Sequence, residues 1–325
     1  MKSVLVTGAT GFVGRALCMR LLRDPVRVLG TVRDSGTSTS LDERVERVRI
    51  TGIGPDTSWE EKLAGIDVVI HLAARVHVMN DREVDPLAEF RAVNSAGTER
   101  LAIEAARAGV RRLVFVSSVK VNGEESDIPY SPTVPAAPSD PYGMSKWEAE
   151  AALRRIEAET GLEVVVVRPP LIYGPGVKAN FRNLLEVVHR GIPLPFASVR
   201  NRRSLVYVGN LADALVRCAD HPAAAGKTYL VSDGEDLSTP ELIRRLAAAL
   251  GKSARLFSVP PALLLLGGRM TGKEALINRL VGSLSVNDSE IRRELGWHPP
   301  FNTESALRET AEWFLKECGK VTRGE

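Results

Sequence analysis

The 325-residue sequence predicts an α/β fold, a doubly wound parallel sheet with a smaller, mostly helical C-terminal part. Two patterns and one bound predict it. Apolar runs rich in Val and Ile recur at 4–6, 26–32, 48–50, 68–72, 113–116 and 164–167 without polar alternation, the mark of strands buried on both faces. Between them lie segments of helical apolar spacing at 13–22, 87–108 and 142–156, the last continuing to 159. The length is roughly two domains' worth of chain. With 44% hydrophobic and 26% charged residues, the composition excludes disordered, collagen-like and coiled-coil classes.

The first strand runs into Thr7-Gly8-Ala9-Thr10-Gly11-Phe12-Val13-Gly14 and then into the first helix. In such a turn Gly8 permits the tight bend, Gly11 lets backbone amides approach a pyrophosphate, and Gly14 lets the helix pack on the strand. Glycines at this spacing are common by accident; their place at the start of a βαβ unit makes them a dinucleotide-binding signal. After the second strand come Thr31-Val32-Arg33-Asp34. An acid there accepts hydrogen bonds from the free ribose hydroxyls of NAD, whereas an arginine pairs with the extra phosphate of NADP. Arg33 comes first, so NADP is favoured over NAD bound through Asp34; a solvated loop pair is the bland alternative.

The strand at 113–116 ends at Ser117-Ser118, and the tyrosine helix opens with Tyr142-Gly143-Met144-Ser145-Lys146. Four-residue spacing puts phenol and ammonium on one helix face. The ammonium is expected to lower the tyrosine pKa, so that the hydroxyl exchanges a proton with an alcohol or ketone near neutral pH. In a parallel sheet, strand ends and helix starts share an edge, so Ser118, Tyr142, Lys146 and the glycine loop are expected to converge on one cofactor. His71 and His77 have no carboxylate at metal-ligand spacing and read as loop or structural residues, and no metal site is expected.

Forty-three basic against 40 acidic residues leave a net charge of +3, which argues against nucleic acid as the partner. Cys18, Cys218 and Cys318 stand far apart and odd in number, the pattern of a reducing, cytoplasmic protein. The N-terminus reaches glycine too soon for a signal-peptide apolar region. The longest apolar run, 260–266, is far short of the ~20 residues of a membrane span, so no stable insertion is expected. Peripheral membrane contact, buried core and a subunit face remain as readings of that run, the last two favoured.

After Gly174-Pro175-Gly176 the chain turns helical with few strand runs. Ser238-Thr239-Pro240-Glu241 reads as a capping box with Pro in the first turn. The expected division is a dinucleotide-binding part, 1–175 with 205–220, and a substrate part, 176–204 with 221–325.

The motifs together resemble the extended short-chain dehydrogenase/reductase family, the nucleotide-sugar epimerases and dehydratases with a Rossmann-type sheet. Carrying the resemblance are the glycine loop, Ile70-His71-Leu72-Ala73-Ala74, Val93-Asn94-Ser95-Ala96-Gly97-Thr98, the serine strand, Tyr142 to Lys146, and Arg168-Pro169-Pro170-Leu171-Ile172-Tyr173-Gly174-Pro175. The resemblance implies that Ser118 hydrogen-bonds the reacting sugar oxygen, Tyr142 is the general acid/base, and Lys146 holds the nicotinamide ribose. It implies a cofactor bed of Gly8, Thr10, Gly11, Phe12, Val13, Gly14, Arg33, Leu72, Ala73, Ala74 and Pro169, with Asn94 supporting it from behind. Asn180, Arg203 and Arg279 are implied as ligands of a UDP-sugar, with a solvated turn as the alternative for Arg202 and Arg203, and a homodimer is implied.

Departures from the family pattern bear on the choice of sugar. No carboxylate directly follows the third strand, Lys120 and Asn122 replace a small and an aromatic residue and are expected to alter the pocket floor, and Asn210 replaces an aspartate. Arg33 resembles NADPH-using relatives. The stretch 116–123 is similar to an O-antigen subgroup that includes reductases of UDP-4-keto-6-deoxy-N-acetylhexosamines. The expectation is therefore a 4-ketoreductase, with a UDP-glucose/UDP-N-acetylglucosamine 4-epimerase holding NAD as the alternative. A non-catalytic dinucleotide-binding regulator would be expected to lack Ser118, Tyr142 or Lys146, and all three are present.

Overall fold

The computed structural model describes residues 2–33, 41–76 and 85–323; Asp34 and His77 lie outside them. Seven parallel strands make the main sheet: β1 (Ser3–Thr7), β2 (Arg27–Arg33), β3 (Glu46–Ile50), β4 (Val68–His71), β5 (Arg112–Val116), β6 (Glu163–Arg168) and, later in the chain, β9 (Thr228–Leu230). Their order is β3-β2-β1-β4-β5-β6-β9. Winding reverses between β1 and β4, which opens a crevice at the carboxyl ends of the strands.

Alternate side chains of β1 serve opposite faces, as strand geometry requires. Val4 and Val6 pack with Leu17 of α1 (Phe12–Leu21) and with Leu211 and Leu215 of α6 (Val208–Asp220). Leu5 packs with Leu101 of α3 (Gly97–Arg107) and Leu153 of α4 (Pro141–Thr160). Both faces are covered, so the strands carry no polar alternation.

The helix expected at 87–108 is present but irregular. α2 (Pro86–Phe90) passes into one wide π turn, Arg91–Ala96, before α3 begins. α4 starts where Asp140 accepts a hydrogen bond from Gly143 N at 2.6 Å and Pro141 occupies the first turn; it stops at Gly161, whose φ of 75° suits a left-handed cap.

A second sheet of order β10-β8-β7 comprises β7 (Leu171–Tyr173), β8 (Arg203–Tyr207) and β10 (Asp236–Leu237). Around it pack α5 (Ala179–His189), α7 (Thr239–Ala249), α8 (Pro261–Met270), α9 (Glu274–Val281) and α11 (Thr303–Arg323), whereas α10 (Ser289–Leu295) packs against β9 and the core of the main sheet. Three strands cross the boundaries expected from sequence: β7, before residue 175, and β8, which runs on past residue 204, belong to the small sheet, and β9, after residue 220, to the large one. At α7, Ser238 accepts from Glu241 N at 3.3 Å, but the Glu241 carboxylate accepts from Arg245 Nε at 2.8 Å. The three cysteines are free thiols.

Candidate active site

A cleft of about 770 Å³ opens where the carboxyl ends of the main sheet meet the small sheet. Phe12 and Val13 of α1, Leu72 and Ala74 after β4, Ser118 after β5, Tyr142 and Lys146 of α4, and Pro169 after β6 line one side; Asn180, Arg203 and Arg279 line the other. Gly8, Thr10, Gly11, Gly14, Arg33, Ala73 and Asn94 are not among the lining residues. Gly8 has φ 70°, and a Cβ there would lie 2.9 Å from Ala73 N. A Cβ on Gly14 would lie 2.2 Å from Gly8 O, so the loop and α1 meet only because both residues lack one. The first turn of α1 carries no acidic residue and Gly11 offers no side-chain cap, which leaves its backbone N–H groups and positive dipole end to an anion.

Ser118 is fixed from both sides. Ser117 N donates to Val167 O at 2.8 Å and Val119 N to Pro169 O at 3.0 Å, so the β5–β6 pairing runs on past the serine. Its hydroxyl oxygen accepts from Lys120 N at 3.2 Å. Lys120 lines the cleft and pairs with Glu124 at 2.8 Å and with Asp140. Asn122, expected to shape the pocket floor, instead turns away: its Oδ1 accepts from Arg168 and its Nδ2 donates to Val134 O.

The buried Lys146 ammonium donates to Val116 O at 2.8 Å and lies 4.3 Å from the Phe115 ring centre. Burial pushes its pKa down to about 7, and the charge of Glu150 acts against that shift. The expectation that Lys146 lowers the tyrosine pKa is not met. Burial, and then the negative charge of Asp140, push the Tyr142 hydroxyl above its ordinary value, while the ammonium is directed to the Val116 carbonyl.

Behind the cleft, Glu150 accepts from Ser117 Oγ, from Arg168 Nε at 3.0 Å and from Arg168 Nη2 at 2.5 Å. Sequence reasoning overlooked this cluster, although Glu150 follows Lys146 by one helical turn. Asn94 joins two walls: Arg75 N donates to its Oδ1 at 2.8 Å, and its Nδ2 donates to Arg75 O and Ser145 Oγ, both at 3.0 Å. His71 is wholly buried, and burial together with the Lys146 charge pushes its pKa down to about 3. Thr98 donates to Asn94 O at 2.7 Å, so it accepts from His71 Nε2 at 3.0 Å; Nδ1 then accepts from Thr7 at 2.6 Å. The histidine is thereby a structural link, and no group of residues suited to a metal ion exists among the described residues.

On the far wall, Arg203 donates to Gly282 O at 3.0 Å, and burial lowers its pKa, the charge of Glu125 opposing that shift and the charge of Arg279 adding to it. Neither arginine forms a salt bridge with a carboxylate among the described residues, whereas exposed Arg202 pairs with Asp236. The turn alternative therefore describes Arg202 and not Arg203. Asn210 is buried, bonded to Asp233 and to both backbone groups of Phe301.

The chain's own groups fit a nicotinamide dinucleotide. The uncapped α1 terminus and its side-chain-free cradle suit the pyrophosphate, and Lys146 keeps ammonium hydrogens beyond the one given to Val116.

Comparison with known proteins agrees. The chain is 44% identical over 319 residues to a Vibrio cholerae protein named UDP-glucose 4-epimerase, covering 97% of this chain and 96% of the relative. It is 29% identical over 290 residues to the N-acetyl-alpha-D-glucosaminyl-diphospho-ditrans,octacis-undecaprenol 4-epimerase of Escherichia coli O157:H7, covering 85% and 83%. The fold matches a crystal structure of UDP-glucuronic acid 4-epimerase from Bacillus cereus in complex with NAD at TM-score 0.78 and 21% identity, covering 97% and 99%. Residues 4–232 match the model of the NAD dependent epimerase/dehydratase family. With that match spanning most of its length, the chain belongs to the NAD dependent epimerase/dehydratase family, of the extended short-chain dehydrogenase/reductase type.

Proposed function

We propose that the protein moves a hydride at C4 of a sugar carried on a nucleoside diphosphate. The observation that carries this reading is the meeting of Ser118, Tyr142 and Lys146 with Arg203 and Arg279 across one cleft. Ser118 Oγ holds the C4 oxygen, Tyr142 Oη gives it a proton or takes one from it, and Lys146 binds ribose hydroxyls and supplies positive charge nearby. When bound, the nicotinamide supplies the hydride donor or acceptor. Arg203 and Arg279 hold the diphosphate, whose charge neutralises both guanidiniums. The names of both relatives describe a sugar held through a diphosphate.

The direction we infer is reduction of a UDP-4-keto-6-deoxy-N-acetylhexosamine by NADPH. It rests on Arg33, exposed at the end of β2 and without a salt bridge among the described residues. Thr31 on the same strand accepts from Gly8 N at 3.1 Å, which ties that strand end to the glycine loop. A second reading, 4-epimerisation with NAD regenerated at each turnover, is favoured by the 44% identity to the Vibrio cholerae protein. Incubation with UDP-N-acetylglucosamine, UDP-glucose and a UDP-4-keto-6-deoxy sugar, following nicotinamide absorbance and sugar products together, separates the two. Net NADPH consumption with the ketone alone supports reduction; interconversion without net redox change supports epimerisation. Tyr142→Phe is expected to lower kcat by at least about 10²-fold in either case, and wild-type turnover in that variant would remove Tyr142 from the chemistry.

A further inference from the structure

Helices α8 and α9 meet in an elbow at the rim of the cleft, closed by Lys273 N donating to Gly268 O at 2.8 Å. Leu264 anchors α8 in the core around the small sheet. The other side of α8 is bare. Leu263, Leu266 and Met270 are 57%, 53% and 81% exposed and, at i, i+3 and i+7, lie on one helix face. Exposed Phe257 precedes the helix in the chain, and exposed Leu276 follows on α9, where it also lines the cleft. The buried-core reading of 260–266 thus describes Leu264 and not Leu263 or Leu266.

Charge is concentrated on the same segment. Residues 251–281 hold five basic side chains against Glu274 alone, leaving 38 basic and 39 acidic residues in the rest of the chain. Lys252, Arg255, Arg269 and Lys273 are exposed, and Arg269 pairs with Glu274 at 2.9 Å. Arg269 lies on α8 and Lys273 just after it, while Lys252 and Arg255 precede it in the chain; an exposed apolar helix face in so basic a segment matches the lipid–water boundary of an anionic bilayer, where apolar side chains enter and cations meet headgroup phosphates. Two copies of this chain meeting through the same face would set like charges against each other, which disfavours self-association there.

We propose that the α8–α9 elbow is a peripheral docking surface for an anionic lipid bilayer, seating the protein with its cleft mouth beside the membrane. The surface binds without spanning: no helix among the described residues is long and apolar enough to cross. The inference does not depend on which reaction the cleft performs, because its readout is lipid binding alone.

The test is co-sedimentation of the full chain with vesicles of phosphatidylcholine, with and without 30% phosphatidylglycerol, at low and high salt. Binding is expected only with the anionic lipid and is expected to fall with salt. Lys252→Gln, Arg255→Gln and Lys273→Gln together are expected to weaken partitioning about 100-fold, at about 5-fold per cation. Leu263→Ser with Leu266→Ser and Met270→Ser is expected to abolish it while nucleotide-sugar turnover persists. Absence of binding by the folded wild type would overturn the proposal, as would undiminished binding by either variant. A loss of dimer in the serine variant, with no vesicle binding by wild type, would reassign the face to a subunit contact.

Discussion

Glu150→Gln tests how the cleft is held from behind. The substitution keeps the shape of the side chain and removes its charge. Arg168 is 4% exposed and receives its counter-charge from Glu150, so the variant leaves a buried guanidinium uncompensated. Breaking one side of such a pair costs about 3–5 kcal/mol. At roughly 2 °C per kcal/mol for a chain of this size, the melting temperature should fall by about 6–10 °C. The double variant Glu150→Gln/Arg168→Met removes both charges and should recover at least half of that loss. A second effect is electrostatic. Glu150 acts to raise the Lys146 pKa, so without it the lysine falls below about 7 and the alkaline limb of the rate profile moves to lower pH. Calorimetry of the four proteins with a pH–rate profile of the Gln variant provides both readouts. A melting temperature within 1 °C of wild type, or a double variant whose loss equals the sum of the singles, would refute the reasoning.

Other expectations follow from single contacts. Gly14→Ala puts a Cβ 2.7 Å from Ala9 Cα as well as against Gly8 O; both neighbours are backbone, so the loop must move, and dinucleotide affinity should drop at least about 10-fold by titration. Arg33→Ala should weaken NADPH about 10- to 100-fold, the worth of a charge-assisted hydrogen bond, and leave NADH within about 2-fold; equal weakening of both would remove Arg33 from the phosphate. His71 has a depressed pKa, so the unfolded chain binds its proton first as pH falls. Its contribution to stability is therefore full above about 6.5 and is lost as pH drops toward about 3. Between pH 7.5 and 5.0 this amounts to about 2 kcal/mol, and His71→Gln should flatten the pH dependence of the melting temperature by that amount.

The main sheet was legible because its strands are buried on both faces. Val4, Leu5 and Val6 have no polar alternation, and the same holds at 164–167. β9 escaped notice because Thr228–Leu230 is too short for a pattern and pairs on one side only. Tyr142 and Lys146 were visible through a spacing that any helix enforces. The direction of the tyrosine pKa was not, since it depends on where the ammonium points and on Asp140, both set by tertiary packing. Arg203 and Arg279 were found by position in a family pattern; that they share a wall with Ile277 and Leu280 needed the folded chain.

The wide turn at Arg91–Ala96 governs how this wall can change. One surplus residue is absorbed there, so α2, packed on α4, and α3, packed on both α4 and the sheet, each keep their own rotational phase. Deleting one residue would let the turn close to α-helical pitch, and everything on one side would swing by about 100° about the axis. Either Asn94 would leave Arg75 and Ser145, or Leu101 would leave the sheet. The segment can exchange side chains freely at its surface, but its length is locked by the two partners it must satisfy at once.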